Sequence, residues 1–166
     1  MAARTTDLPI EIKRLPAGFD RWQDLLDLIL RAFAHMDGLI DPPSSAHRLT
    51  LQSLLEKCEA ETVFLAAMED RLFGCVFVAD RGDHTYVGKL AVEPAFQRQG
   101  VGRRLVAAVE AEAKQRGRRI MELQTRIELT GNHAAFARLG FVETARTAHE
   151  GYDRPTSITM RKELVV

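Results

Sequence analysis

The sequence predicts an α/β fold in which helices cover the faces of one mixed sheet. Three observations carry this. The chain has 166 residues, 46% of them hydrophobic and 28% charged, which is enough to bury one core and too apolar for disorder, so residues 1–166 are read as a single domain. Short apolar runs of strand length alternate with stretches whose apolar residues recur at helical spacing. Their order is one strand, two helices, three strands, helix, strand, helix and two strands, which is neither a strict βαβ repeat nor a helical bundle.

The elements follow in chain order. Ile10 to Arg14 alternates apolar and polar, as a strand does. Phe19 to Met36 reads as a helix, with Trp22, Leu25, Leu26, Ile29, Leu30 and Phe33 on one face. Pro42 and Pro43 end that helical stretch, and Ser44 or Ser45 is placed to cap a second helix carrying Leu51, Leu54, Leu55 and Cys58. Thr62 to Met68 and Leu72 to Ala79 are separated only by Glu69-Asp70-Arg71, which predicts an antiparallel hairpin. After the turn Asp80-Arg81-Gly82-Asp83, His84 to Val92 is the next strand. Gly100 to Arg116 is a helix, and Gly117 is placed to end it. Ile120 to Thr125 is a strand, and Asn132 to Leu139 a short helix stopped by Gly140. Phe141 to His149 and Thr156 to Lys162 are two final strands.

Composition excludes several classes of function. Lys plus Arg equals Asp plus Glu at 23 each, so a dedicated nucleic-acid binder, which is basic overall, is disfavoured. The basic stretch from Arg98 to Arg119 has few interleaved aromatics, which also argues against nucleic acid. Cys58 and Cys75 have neither CxxC nor Cys/His spacing, so no disulfide framework or metal site is expected. Met1 to Pro9 has no apolar signal-peptide core, and no run reaches the roughly 18 apolar residues that span a bilayer. A cytoplasmic protein that does not engage membranes is therefore expected.

The segment Val87 to Leu105, VGKLAVEPAFQRQGVGRRL, carries the chemistry. A buried strand ends at Val92, Pro94 stops pairing, and Gln97-Arg98-Gln99-Gly100-Val101-Gly102 opens a helix. Two glycines allow a tight turn and remove Cβ atoms that would block a ligand. The free N–H groups of a helix start, with the helix dipole, suit a phosphate or pyrophosphate. Arg98, Arg103 and Arg104 add charge. A P-loop needs Gly-Lys followed by Ser or Thr, but Arg103 follows Gly102. A dinucleotide fingerprint needs a third glycine where Leu105 stands.

The loop instead resembles the pyrophosphate loop of the GNAT acetyltransferases, Gln/Arg-x-x-Gly-x-Gly/Ala, at Gln97, Gly100 and Gly102. Leu90-Ala91-Val92-Glu93-Pro94 is similar to that family's fourth strand and its exit. Ala134 to Phe141, AAFARLGF, is similar to the family's helix ending in Tyr-x-x-Leu-Gly-Phe. The resemblance implies the GNAT fold: a mixed, mostly antiparallel, seven-stranded sheet flanked by about four helices, with strands four and five splayed. It implies acetyl-CoA as co-substrate with no metal, held along Leu90, Ala91 and Val92. Its pyrophosphate would lie on Gln97, Arg98, Gln99, Gly100, Val101, Gly102 and Arg103, and Phe136 packs against it. The Val92 N–H would polarise the thioester carbonyl. Asn132 is either a pantetheine partner or a plain helix cap.

Two positions depart from the family's common pattern. The glutamate base expected four residues before Val92 is Gly88, and the general-acid tyrosine is Phe136. Tyr152 and His149, flanking the last loop, are the replacement candidates for acid and base. By strand alternation His84 and Tyr86 share a face with Gly88 and Val92, while Glu93 points away from it. The loop between the first two helices is expected to wall the acceptor pocket. Met36 gives it an apolar surface, and Asp37 and Asp41 attract an ammonium group. The implied function is transfer of an acetyl group to a primary amine of a small molecule, amino-acid derivative or peptide, by direct attack in a ternary complex. The alternative is a non-catalytic acyl-CoA-binding or regulatory module on the same fold. Members of the family often dimerise, so a homodimer is the expected assembly. The charge also divides along the chain: Asp7 to Asp70 is acidic and Gln97 to Arg119 basic, as suits a cationic acceptor meeting an anionic cofactor.

Overall fold

The computed structural model describes residues 9–165. Seven strands form one sheet: β1 (Glu11–Arg14), β2 (Thr62–Met68), β3 (Arg71–Asp80), β4 (Thr85–Val92), β5 (Ile120–Arg126), β6 (Val142–Thr147) and β7 (Ser157–Glu163). Their spatial order is β1-β2-β3-β4-β5-β7-β6, and every pairing is antiparallel except β4 with β5. Four α-helices flank the sheet: α1 (Trp22–Ala34), α2 (Leu51–Ala60), α3 (Val101–Gln115) and α4 (Thr130–Arg138). Among the described residues no helix is long and apolar enough to cross a membrane.

The sheet divides two cores, each sealed by its own helices. On one face Phe73, Val76, Val78, Val87, Met121 and Leu123 pack under Val101, Leu105 and Val109 of α3. On the other, Leu25, Leu28 and Ile29 of α1 and Leu54 of α2 cover Leu65, Cys75, Phe77 and Ala91. Period two in the strands and period 3.6 in the helices produce this division directly.

Three elements differ from the sequence expectation. The single second helix is two pieces. Ser44 caps only a 3-10 turn, Ser45–Arg48, while α2 begins after Thr50, whose hydroxyl accepts from the Ser53 N–H in a reciprocal capping box. Of the apolar residues assigned to α2, Leu54 is buried while Leu51 and Leu55 are exposed. On α1, Leu30 faces solvent and Leu28 takes its place inside.

The third difference shapes the site. Cys75 pairs with Ala91 and Phe77 with Gly88, so three steps along β4 oppose two along β3. This bulge breaks the alternation assumed for β4. Tyr86, Gly88 and Ala91 share the α1 face, whereas Val92, opposite Gly74, packs into the α3-side core. Glu93 does point away from Val92, toward α1, where Arg31 grips both its oxygens at 3.2 and 2.8 Å.

Candidate active site

β4 and β5 pair only from Thr85–Met121 to Val87–Leu123. Beyond Val87 they separate, and Gly88, Lys89 and Leu90 face Gln124, Thr125 and Arg126 across a gap. The parallel β4–β5 step has lost its ladder where the bulge turns β4 away.

The pairing with β3 sets where the Val92 main-chain groups point. The Glu93 N–H donates to the Phe73 carbonyl at 2.7 Å, which makes the adjacent Val92–Gly74 pair the non-hydrogen-bonded kind. The Val92 N–H therefore points away from β3, toward the gap. The Val92 carbonyl points the same way and accepts from Gln97 Nε2 at 3.3 Å, tying the following loop to the strand end.

That loop ends at Gly100, in the left-handed region at φ +83°, and α3 starts directly after it with no side-chain cap. Arg98 also adopts positive φ, +64°. The Arg104 N–H is the first to bond back, to the Gly100 carbonyl at 3.0 Å, so the N–H groups of Val101, Gly102 and Arg103 have no partner within the helix. A Cβ on Gly102 would sit 3.7 Å from Val92 Cγ2, in van der Waals contact with the end of the strand. Gly74 lets α3 approach: a Cβ there would meet the Ala91 carbonyl at 3.0 Å and Leu105 at 3.1 Å. Val101 is buried and offers only its backbone. Arg98, Gln99 and Arg103 are exposed, the Gln99 amide donating to the Ala95 carbonyl at 3.5 Å. Arg104, expected beside the phosphate loop, is instead turned to the Ile10 carbonyl at 2.5 Å.

A cavity of about 520 Å³ fills the gap and is lined from both faces of the sheet, a size that suits a small ligand. On the α4 side it is lined by Leu90, Leu123, Thr125, Leu129, Asn132 and Phe136. Asn132 is not the helix cap: α4 begins at Thr130 after Leu129, and Asn132 lies in the first turn. Phe136 stacks edge-on against buried Phe141 at 6.0 Å. The Thr125 hydroxyl is buried without a hydrogen-bond partner among the described residues.

The other mouth is walled by Phe33, Met36, Ile40, Pro42, Pro43 and the Ser45–Arg48 turn, with Lys89 from the bulge, Arg126 from β5 and His149. Long-range bonds hold this wall in place. Arg126 donates to the carbonyls of Pro42 and Pro43 at 2.8 and 3.2 Å, the Asp41 N–H donates to Glu128 at 2.9 Å, and Lys89 Nζ donates to Ser45 Oγ at 3.2 Å. Burial, with neighbouring Lys57 and Arg48, lowers the Lys89 pKa; burial lowers that of Arg126.

Met36 and His149 line the cavity, but Asp37, Asp41 and Tyr152 do not. Asp37 bonds His47 at 2.6 Å. The Tyr152 hydroxyl donates to Asp41 at 2.6 Å, and Arg154 holds the other Asp41 oxygen at 3.2 Å. The bond to Asp41 keeps the Tyr152 proton in place and raises its pKa. His149 Nδ1 is engaged by Thr156 Oγ1, leaving Nε2. Burial, together with nearby Arg126, lowers the His149 pKa.

One carboxylate escaped the sequence reading. Glu61 Oε1 lies 3.7 Å from where a Cβ on Gly88 would stand. The side chain is largely buried and paired with Lys57 one helical turn earlier. Glu61 reaches the spot because β2 and β4 flank the same strand, a neighbourhood that no local spacing reveals. Thr125 was open to prediction, by alternation with Met121 and Leu123. Lys89, Arg48 and Arg126 had no local signal.

Residues 22–141 match the family model described as the acetyltransferase (GNAT) family. The chain belongs to the GNAT family. Among curated relatives, it is 28% identical over 150 residues to the IAA acetyltransferase of Azospirillum brasilense, covering 87% of this chain and 95% of that one. Over 58 residues it is 41% identical to an aminoglycoside N(6')-acetyltransferase type 1 of Stenotrophomonas maltophilia, covering 35% and 38% of the two chains. Its fold matches a GNAT acetyltransferase from Elizabethkingia anophelis with acetyl-CoA bound, with TM-score 0.67 and 22% identity over 93% of this chain and 98% of that one.

Proposed function

We propose that the protein is an N-acetyltransferase that moves the acetyl group of acetyl-CoA to a primary amine of a small molecule, amino-acid derivative or peptide, by direct attack in a ternary complex. The observation that carries this reading is the gap between β4 and β5, in a chain whose β4 runs on through Val92 to the glycine loop at the start of α3.

The residues present fit acetyl-CoA. The N–H groups of Val101, Gly102 and Arg103 hold the pyrophosphate, with Arg98 and Arg103 adding positive charge. Leu90, Thr125, Asn132 and Phe136 line the channel for the pantetheine arm. Acetyl-CoA supplies an activated thioester, from which the amine nitrogen takes the acetyl carbon as the C–S bond breaks and the thiol departs. The Val92 N–H donates to the carbonyl oxygen as charge builds on it. An ammonium group must first lose a proton. His149 Nε2, with its lowered pKa, is the proton acceptor within the cavity, and Glu61 restores a carboxylate beside Gly88. Tyr152 acts through Asp41, fixing the wall of the acceptor pocket. No side-chain acid is required, because a thiol of pKa about 8.5 gives a tolerable leaving group.

The test is thiol release from acetyl-CoA with a panel of amines. Amine-dependent release that falls roughly hundredfold or more in His149→Gln supports the reading and the base. Tight CoA binding with no release for any amine establishes the alternative, a CoA-binding module, which Gly88 and Phe136 favour. A second readout addresses the loop: if Gly100→Asp and Gly102→Asp fold and still bind CoA normally, the loop does not hold the pyrophosphate.

A further inference from the structure

The acceptor mouth of the cavity carries charge of one sign. Arg48, Lys89 and Arg126 line it together with His47 and His149, and among the described lining residues there is no aspartate or glutamate. None of the three cations has a carboxylate within ion-pair distance among the described residues, whereas Arg14, Arg31, Arg116, Arg118, Arg154 and Arg161 all do. Lys89 is half-buried, yet its partners are a neutral hydroxyl and the ring of Phe33 at 5.8 Å. Glu61 acts on Lys89, and Glu128 and Asp41 on Arg126, only beyond ion-pair distance, and none of these carboxylates lines the cavity, so the cations keep bonding capacity for an anion. The two aspartates of the loop make their direct bonds elsewhere: Asp37 to His47, and Asp41 to Tyr152 and Arg154.

We propose that the acceptor amine carries an anionic group, a carboxylate or a phosphate ester, held by Arg48, Lys89 and Arg126 at the loop-side mouth of the cavity. This deepens the acetyltransferase reading and rests on it for the identity of the acceptor. Phe33, Met36 and Ile40 form an apolar wall beside the cations, so an amino acid with an apolar side chain matches the surface in both charge and polarity. The same cations disfavour an ammonium group nearby and so help the acceptor reach its neutral, attacking form. This replaces the expectation that Asp37 and Asp41 draw in a simple cationic amine.

The test reads binding without turnover. CoA-loaded protein is titrated calorimetrically with N-acetyl-leucine, N-acetyl-leucinamide, the phosphate monoester of N-acetylethanolamine, and N-acetylspermidine. The anionic ligands are expected to bind at least about tenfold tighter than the amide, and Lys89→Gln and Arg48→Gln each to remove that preference. The tighter of the carboxylate and the phosphate identifies the anion. Equal binding of acid and amide, tighter binding of the spermidine derivative, or a preference unchanged in both variants overturns the proposal. The acetyltransferase reading fails separately: a kept anion preference without thiol release from any amine removes transfer and leaves the subsite. Release with polycationic amines alone removes the subsite and leaves transfer.

Discussion

On the α3 side of the gap, the decisive positions are glycines and main-chain groups: Gly74 under the helix, Gly100 at φ +83°, and the N–H groups of Val92 and the first turn of α3. On the loop side they are side chains reaching far along the sequence: Arg126 to Pro42 and Pro43, Tyr152 and Arg154 to Asp41, Lys89 to Ser45. The first half is specified by what must be absent: a Cβ at Gly74 would crowd the Ala91 carbonyl and Leu105, and a side chain at Gly100 would be strained at its positive φ. The second is specified by pairs, each of which can be exchanged without disturbing the strands. A backbone site suits a cofactor shared across a family, and a side-chain site suits an acceptor that differs from member to member.

The comparison can be broken on the backbone side first. Gly74→Leu should cost about 3 kcal/mol of stability or unfold the protein, because its side chain meets the Ala91 carbonyl and Leu105; urea denaturation measures this. Gly100→Asp should keep the fold but lose roughly a hundredfold in CoA affinity, from backbone strain and an added negative charge, by titration calorimetry. On the loop side, Asp41→Ala should raise the acceptor KM about tenfold and leave CoA affinity unchanged, since it frees Tyr152 and Arg154 but touches no backbone of β4. If CoA affinity falls equally, the two halves are not separable.

Two smaller effects sharpen the picture through pH. With the His149 pKa lowered by burial, its neutral form persists further into acid. The acid limb of kcat/KM should thus lie below the ordinary histidine range and disappear in His149→Gln. The smallest effect lies outside the site. The Arg118 guanidinium holds Asp80 down to a pKa of about 2. A carboxylate depressed on folding stabilises above its ordinary pKa, and that contribution is lost as pH falls from about 4 toward about 2. In Asp80→Asn the acid-side slope of Tm against pH should be slightly shallower, by differential scanning calorimetry.

The fold was legible because it rests on local periodicity, and the strand and helix assignments for Thr62 to Met68 or Gly100 to Arg116 needed only spacing. The glycine loop was legible for the same reason, since Gln97, Gly100 and Gly102 are neighbours in the chain. The second helix was read as one piece because Ser44 and Thr50 both have capping chemistry, and each caps an element of its own. Glu61, Lys89 and Arg126 stayed hidden because each acts across strands, and hydropathy records no such meeting.

The bulge in β4 has a consequence for the length of the strand. Three steps from Gly88 to Ala91 face two on β3, so a chain lacking one of residues 88–90 would recover ordinary pairing. Its fourth and fifth strands would then be free to zip along their whole length, and the hole between them would close. Such a deletion should produce a sheet with more hydrogen bonds and a protein with no place for either reactant. A single surplus residue keeps this sheet from finishing itself.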